Sequence, residues 1–268
     1  MNGALTTAHA HDLRVLLGRL ADAAARETLP RFRRQATIDN KLSDGFDPVT
    51  EADREAERAI RAILDSQRPD DAIIGEEFGT TRNGARDAWI VDPVDGTRAF
   101  VAGLPVWGTL IGLYRDGAPL AGLVDQPFTG ERFIGLAGHG ATLATRGGAP
   151  AAIAARDGIT LADATLMTTS PRIFPKADGA RYDAVERQVR LARYGCDCYA
   201  YAMLAAGQID LVIESGLHVY DIAGPLALMR AAGATVTDWN GGDPSAGGQI
   251  LAAGSARLHA EALEVLNA

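Results

Sequence analysis

Three acidic clusters stand where carboxylates are expensive to keep. Glu76 and Glu77 follow the apolar pair Ile73-Ile74, Asp92 and Asp95 follow Ile90-Val91, and Asp221 precedes Ile222-Ala223-Gly224. Carboxylates at the ends of buried strands or the starts of helices lose hydration, and need a partner or a metal to compensate. A set converging from three chain segments, together with one backbone carbonyl, offers hard oxygen donors. Such a set suits Mg²⁺, which prefers octahedral oxygen ligands and keeps several waters. The segment Asp92-Pro93-Val94-Asp95-Gly96-Thr97 also reads locally as a simple turn, because Pro presets φ and Asp and Gly are turn formers. The apolar strand before it, and Thr97 opening a helix after it, favour a site. Backbone N–H groups at that helix start could receive an anion.

The elements that must position these groups are set by bulk properties and patterning. A chain of 268 residues can bury a sizeable core as one large domain or two tightly joined halves. Aromatics are sparse at 6%, so the core must be built from small and branched aliphatic residues. The net charge of −8 disfavours a nucleic-acid partner, which needs Lys and Arg to displace counterions. It does not disfavour an anionic substrate, since a bound divalent ion reverses the local field. Cys196 and Cys198 are too few for a disulfide framework and too close to pair, and Cys-x-Cys reads as buried packing. His9, His11, Asp12 and Arg14 interrupt any N-terminal apolar run. The expectation is a cytoplasmic protein with no signal peptide and no membrane partner.

Hydrophobic spacing predicts a helix over 12–33, then a polar loop over 37–47. Thr50 with Asp53 resembles a capping box that starts a helix over 51–67. Strands are expected at 72–75 and 89–91, and an antiparallel meander at 106–114, 120–125 and 132–135. The stretch 147–163 is weakly patterned and suggests a boundary, giving an α+β N-terminal half (1–150) and an α/β C-terminal half (151–268). In the second half, strands are expected at 166–169, 209–214 and 235–239. Helices are expected at 180–193, 198–206, 222–232 and 258–266. Trp107 and Trp239 lie in strand-like runs and read as core.

The ordered motifs Asp47-Pro48-Val49-Thr50-Glu51-Ala52-Asp53, Gly75-Glu76-Glu77, Asp92-Pro93-Val94-Asp95-Gly96-Thr97 and Tyr220-Asp221-Ile222-Ala223-Gly224 resemble the inositol monophosphatase family over nearly the whole chain. The resemblance implies a layered αβαβα sandwich and a Mg²⁺-dependent phosphomonoesterase with two to three ions per site. It implies that Glu76, Asp92 and the Val94 carbonyl hold the first metal. Asp92, Asp95 and Asp221 would hold the second, with a third, weaker ion near Glu76 through water. A metal-activated water would attack phosphorus in line, oriented by Glu76 and by Thr97, itself hydrogen-bonded to Asp47. The amides of Gly96 and Thr97 would hold phosphate oxygens. Asp47 and Thr50 read otherwise as a plain helix cap. A homodimer is expected on the same resemblance.

Substrate choice falls to the second half. Residues 97–111, 125–132 and 195–201 resemble the histidinol-phosphate phosphatase branch of the family. Asp197 and Glu214 would face the ammonium and imidazole of L-histidinol phosphate, giving L-histidinol and phosphate. Asp197 reads otherwise as a helix cap, and His218 as a satisfied histidine rather than a ligand. Arg193 could approach the substrate phosphate or a neighbouring subunit. The alternatives are an inositol-1-phosphate or broader small-ester phosphatase, and a non-catalytic metal- or ligand-binding regulator on the same fold.

Overall fold

A computed structural model of the chain describes residues 5–34, 38–40, 48–146 and 148–268. In chain order the elements are α1 (Thr7–Thr28), β1 (Ile38–Asn40), β2 (Pro48–Thr50), α2 (Glu51–Gln67), β3 (Ala72–Gly75), β4 (Gly79–Thr81), β5 (Asp87–Asp95) and α3 (Thr97–Ala102). Then follow β6 (Gly108–Arg115), β7 (Ala118–Gln126), β8 (Glu131–Leu136), β9 (Gly140–Ala144), β10 (Ala151–Ile153), β11 (Thr165–Thr168), α4 (Lys176–Glu186) and β12 (Leu191–Tyr194). The chain ends with α5 (Tyr199–Ala205), β13 (Leu211–Leu217), α6 (Val219–Ala231), β14 (Thr235–Thr237), β15 (Gly248–Ala253) and α7 (Ala256–Leu266).

The strands form an eight-stranded sheet, β10-β9-β8-β7-β6-β5-β3-β4, a five-stranded sheet, β12-β11-β13-β15-β14, and the small β1–β2 pair. Five layers result. Leu13, Leu17 and Leu20 of α1 and Ile60 and Leu64 of α2 pack on one face of the large sheet. Helices α5 and α6 fill the space between the sheets, through Tyr201, Leu204, Leu226 and Met229. Tyr182 of α4 and Leu258 and Ala262 of α7 cover the outer face of the small sheet, beside Trp239. The expected mixed α/β sandwich is therefore present. Among the described residues, no helix is long and apolar enough to cross a membrane.

Local chemistry starts the key elements as expected. The Thr50 hydroxyl accepts from the Ala52 amide at 3.1 Å, and Asp53 Oδ2 accepts from the Thr50 amide at 2.9 Å, closing the capping box that launches α2. The meander is present as β6, β7 and β8. Some expectations fail. The helix expected over 180–193 ends at Glu186, and Leu191–Tyr194 instead pairs parallel to β11. An edge strand beside a ready ladder gains backbone hydrogen bonds that no local signal announces. β15 carries no polar alternation that would mark it in the sequence, because Ile250 to Ala253 are all buried. The first helix begins earlier, at Thr7 behind an N-cap on Thr6, and stops at Thr28.

One packing feature matters for the site. Gly112 of β6 pairs across from Gly122 of β7, and Gly122 pairs with Gly135 of β8. A Cβ at Gly112 would sit 2.7 Å from the Ala223 methyl, and one at Gly135 would sit 2.5 Å from the Leu228 Cα. At Gly122 it would strike the Gly224 carbonyl oxygen. This register-matched row of glycines lets the α6 backbone lie directly on the large sheet. It thereby brings the first turn of α6, with Asp221, close to the end of β5.

Candidate metal and phosphate-ester site

The Asp92–Asp95 segment is the bulged end of a strand. Asp92 pairs with Leu110 and Asp95 with Gly108, so three steps along β5 match two along β6. In a regular strand, residues three apart point to opposite faces; the bulge turns both carboxylates the same way. Gly96 then takes a left-handed φ of 76° and α3 begins. Thr109 pins the bulge, its hydroxyl donating to the Pro93 carbonyl at 2.8 Å.

Carboxylate oxygens of Asp92, Asp95 and Asp221 lie within 4.8 Å of one another. Each is held by a backbone amide: Val94 N–H on Asp92 Oδ1 at 3.1 Å, Cys198 N–H on Asp95 Oδ2 at 2.7 Å, and His218 N–H on Asp221 Oδ2 at 2.6 Å. Burial, and then the neighbouring negative charges, push the Asp92 and Asp95 carboxyls well above the ordinary range. For Asp92 the neighbours are Glu76, Asp95 and Asp221; for Asp95 they are Asp197 and Asp221. Close carboxylates that repel one another while anchored by amides fit a divalent cation, which would relieve the repulsion.

Glu76 reaches the same place from β3. Behind it the fully buried Glu57 carboxylate accepts from the Glu77 amide at 2.7 Å and the Phe78 amide at 3.2 Å, and pairs with Arg61 at 2.7 Å. Gly75 is needed there, because a Cβ would collide with the Glu57 carboxyl. Glu57 therefore shapes the turn that presents Glu76.

Glu76, Asp92, Asp95 and Asp221 line a cavity of about 250 Å³, together with Val94, Gly96, Thr97, Thr169, Asp197 and Glu214. Among the described residues six carboxylates line it with one cation, Arg98; burial raises the Asp197 carboxyl, and Arg98 offsets part of that rise. Glu214 is 2% exposed. Its Oε1 accepts from the Thr169 amide, and its Oε2 has no partner among the described residues. Burial raises its carboxyl to about 7.

Most residues expected at the site thus converge. Asp47 lies outside the described residues. The Thr97 hydroxyl donates to the Val94 carbonyl at 3.1 Å and lies 3.5 Å from Asp53 Oδ1. Asp197 does not cap α5, whose N-cap is Cys198. It instead takes a left-handed φ of 43° that turns its carboxylate against Gly96. His218 is exposed, stacking on Tyr220 with ring centroids 5.1 Å apart. Arg193 is exposed on β12 and does not line the cavity. Trp107 and Trp239 are core, and both cysteines are free, Cys198 being buried. Sequence reading missed the amide of Cys198, the buried Glu57, and Asp53 as a neighbour of Thr97. Burial pushes the Asp53 carboxyl up to about 6. A clue existed for Glu57: with Arg61 it forms an i,i+4 pair on a helix, but nothing in the sequence places that pair inside.

A model of the inositol monophosphatase family matches residues 11–268. The chain belongs to this family. It is thus a phosphatase of that family, built on the family's mixed α/β sandwich. It is 40% identical to the bifunctional phosphatase IMPL2 of Arabidopsis thaliana over 92% of this chain and 72% of that protein. It is 35% identical to a histidinol-phosphatase of Mycobacterium tuberculosis, over 96% of this chain and 99% of that one. Among solved structures, an inositol monophosphatase from Zymomonas mobilis superposes with a TM-score of 0.86 at 39% identity, covering 98% of this chain and 100% of that chain.

Proposed function

We propose that this family member hydrolyses L-histidinol phosphate to L-histidinol and phosphate. The observation that carries the reading is the buried Glu214. Its Oε2 is unpartnered among the described residues, and it lines the same cavity as the Asp92–Asp95–Asp221 cluster and Asp197. A buried acceptor without a donor is costly unless a ligand supplies one. Two anions beside the leaving-group space favour a cationic alcohol over a neutral polyol. The histidinol-phosphatase similar over 96% of the chain supports the same substrate.

In this reading Glu76, Asp92 and the Val94 carbonyl would hold a first Mg²⁺, and Asp92, Asp95 and Asp221 a second, with a third near Glu76. When bound, the ions supply charge neutralisation, an acidified water and stabilisation of the leaving oxygen. Thr97 and Glu76 would orient the attacking water; the part expected of Asp47 falls on a residue outside the described ones. The amides of Gly96 and Thr97 receive the phosphate oxygens. Helix α3 has only six residues, so direct amide contacts rather than a helix dipole do that work. Residues 1–150 carry most of the metal ligands, and 151–268 carry Asp221, Asp197 and Glu214. A cytoplasmic homodimer completes the proposal.

The test is phosphate release from L-histidinol phosphate and from inositol-1-phosphate, each with and without Mg²⁺. Faster release from inositol-1-phosphate would reject the histidinol reading. It would favour the second one, an inositol-type phosphatase, which the 39% identity to the Zymomonas mobilis enzyme supports.

A further inference from the structure

The acidic groups of the cavity fit a metal and a cationic alcohol, but two large apolar side chains also line it, Ile173 and Leu217. Val94, the other aliphatic residue of the lining, is itself fully buried. The side chains of Ile173 and Leu217 can neither ligate a metal nor bond a phosphate oxygen. What they offer a ligand is apolar surface, the usual complement to a few placed polar groups in a small-molecule site.

A strap of chain holds Ile173 there. At its start the Thr169 amide donates to Glu214 Oε1. At its end Asp178 Oδ2 accepts from the Ser215 hydroxyl at 2.5 Å and from Gln249 Nε2 at 2.9 Å. Residues 169–178 are thus tied at both ends to adjacent residues of β13, Glu214 and Ser215. Between the ties lies a short turn, in which the Ser170 hydroxyl accepts from the Arg172 amide at 3.3 Å. Phe174 then enters the core, its ring centroid 5.1 Å from that of Tyr182 and 6.1 Å from that of Trp239. Ile173, next to it, stays out and is 44% exposed. A lone exposed isoleucine needs no explanation. This one lines the cavity beside Glu214, on a segment bonded to β13 and β15 at both ends.

Leu217 arrives along β13 itself. The pairing of β13 with β15 shifts register between Glu214 and Leu217. Leu217 is half-buried and packs against the core between the sheets. The next residue, His218, gives its amide to Asp221. Leu217 therefore stands in the chain between the buried Glu214 and the acidic cluster.

We propose that Ile173 and Leu217 are specificity-determining residues: an apolar wall that receives a ring on the alcohol portion of the phosphate ester, with the strap 169–178 holding Ile173 in place. The wall rests on the proposed reading of this cavity as the phosphate-ester site, and it adds a requirement that the carboxylates do not set. Glu214 and Asp197 select positive charge. The wall selects a flat ring whose faces need no hydrogen bonds. A polyol would have to bring hydroxyls out of water against Ile173 and Leu217.

The experiment compares 2-phenylethyl phosphate with ethyl phosphate, two esters of primary alcohols that differ by the ring and carry no amine. Phosphate release by the Mg²⁺-loaded wild type and by Ile173→Ser, Leu217→Ser and Asp178→Ala gives the ratio of the two KM values, or of the two inhibition constants against the preferred ester. The wild type should favour the ring-bearing ester by about tenfold, the scale for roughly 50 Å² of apolar surface removed from water. Ile173→Ser and Leu217→Ser should each cut that preference by about threefold or more, with the ratio of kcat values little changed, and Ile173→Leu should keep it. Asp178→Ala should cut it as Ile173→Ser does, and Asp178→Asn, which retains an acceptor oxygen, should restore it. A purely structural role for Ile173 would lower Tm and shift both esters alike. No preference in the wild type, or one that both serine variants leave intact, overturns the wall; a preference indifferent to Asp178→Ala overturns the strap. L-histidinol phosphate and inositol-1-phosphate are run alongside. Faster release from inositol-1-phosphate rejects the histidinol reading, whereas the ring preference, measured on amine-free esters, decides the wall by itself.

Discussion

Glu214→Gln should make the metal-free protein more stable at alkaline pH while damaging its use of substrate. The wild-type carboxyl is raised from 4.5 to about 7 by burial, against which the Thr169 amide only partly compensates. An acid whose folded pKa is raised binds its proton more tightly in the native state than in the unfolded chain. Its favourable contribution is therefore complete below 4.5 and is lost as the pH rises through 7. The size follows from the gap between 4.5 and about 7, roughly 3 kcal/mol of penalty for the ionised form, with no discount because the side chain is 2% exposed. Glutamine keeps an oxygen for the Thr169 amide and has no charge to desolvate. Urea unfolding of both proteins in EDTA, at pH 5 and pH 8, measures the difference. The variant should gain on the wild type by about 2–3 kcal/mol between these pH values. A difference that is the same at both would show that Glu214 is not held in a charge-penalising site. The companion assay is KM for L-histidinol phosphate, which should rise more than KM for a simple phosphate ester; equal rises would mean that Glu214 does not read the cation.

Asp92→Asn should abolish turnover and weaken Mg²⁺ binding measured by calorimetry, because the residue sits at the centre of the cluster with Asp95 and Asp221; near-normal activity would sink the two-metal assignment. Gly122→Ala should destabilise the fold by about 3 kcal/mol, since the new methyl meets the Gly224 carbonyl rather than a flexible side chain. It should also weaken Mg²⁺ binding through Asp221, and wild-type Tm and affinity would contradict the glycine-row account. Gly75→Ala should displace Glu57 from the amides of Glu77 and Phe78, at a loss of about 2 kcal/mol. Glu76 should then be misplaced, which Mg²⁺ titration would detect as lowered affinity; unaltered unfolding and titration curves would refute it.

Much of this protein is legible along the chain because its determinants are local. Thr50 and Asp53 announce α2 through a capping box that closes within four residues. Asp92, Asp95 and Asp221 are recognisable because each carboxylate stands beside its own apolar run. Leu191–Tyr194 shows the limit: its strand exists because β11 offers a ladder, a partner more than twenty residues away in sequence. Likewise the amide of Cys198 that holds Asp95 is supplied across the inter-sheet space.

The sequence alone thus determines which residues carry charge, where helices start, and which acidic groups are candidates for a metal. Two things were decided only by the tertiary structure. The bulge at the end of β5 turns Asp92 and Asp95 to one side, and the paired glycines of β6, β7 and β8 let α6 bring Asp221 to them. The physical reason is common to both. Side-chain direction, close backbone approach and the loss of water depend on what lies across the fold, and a residue's neighbours in sequence do not specify that.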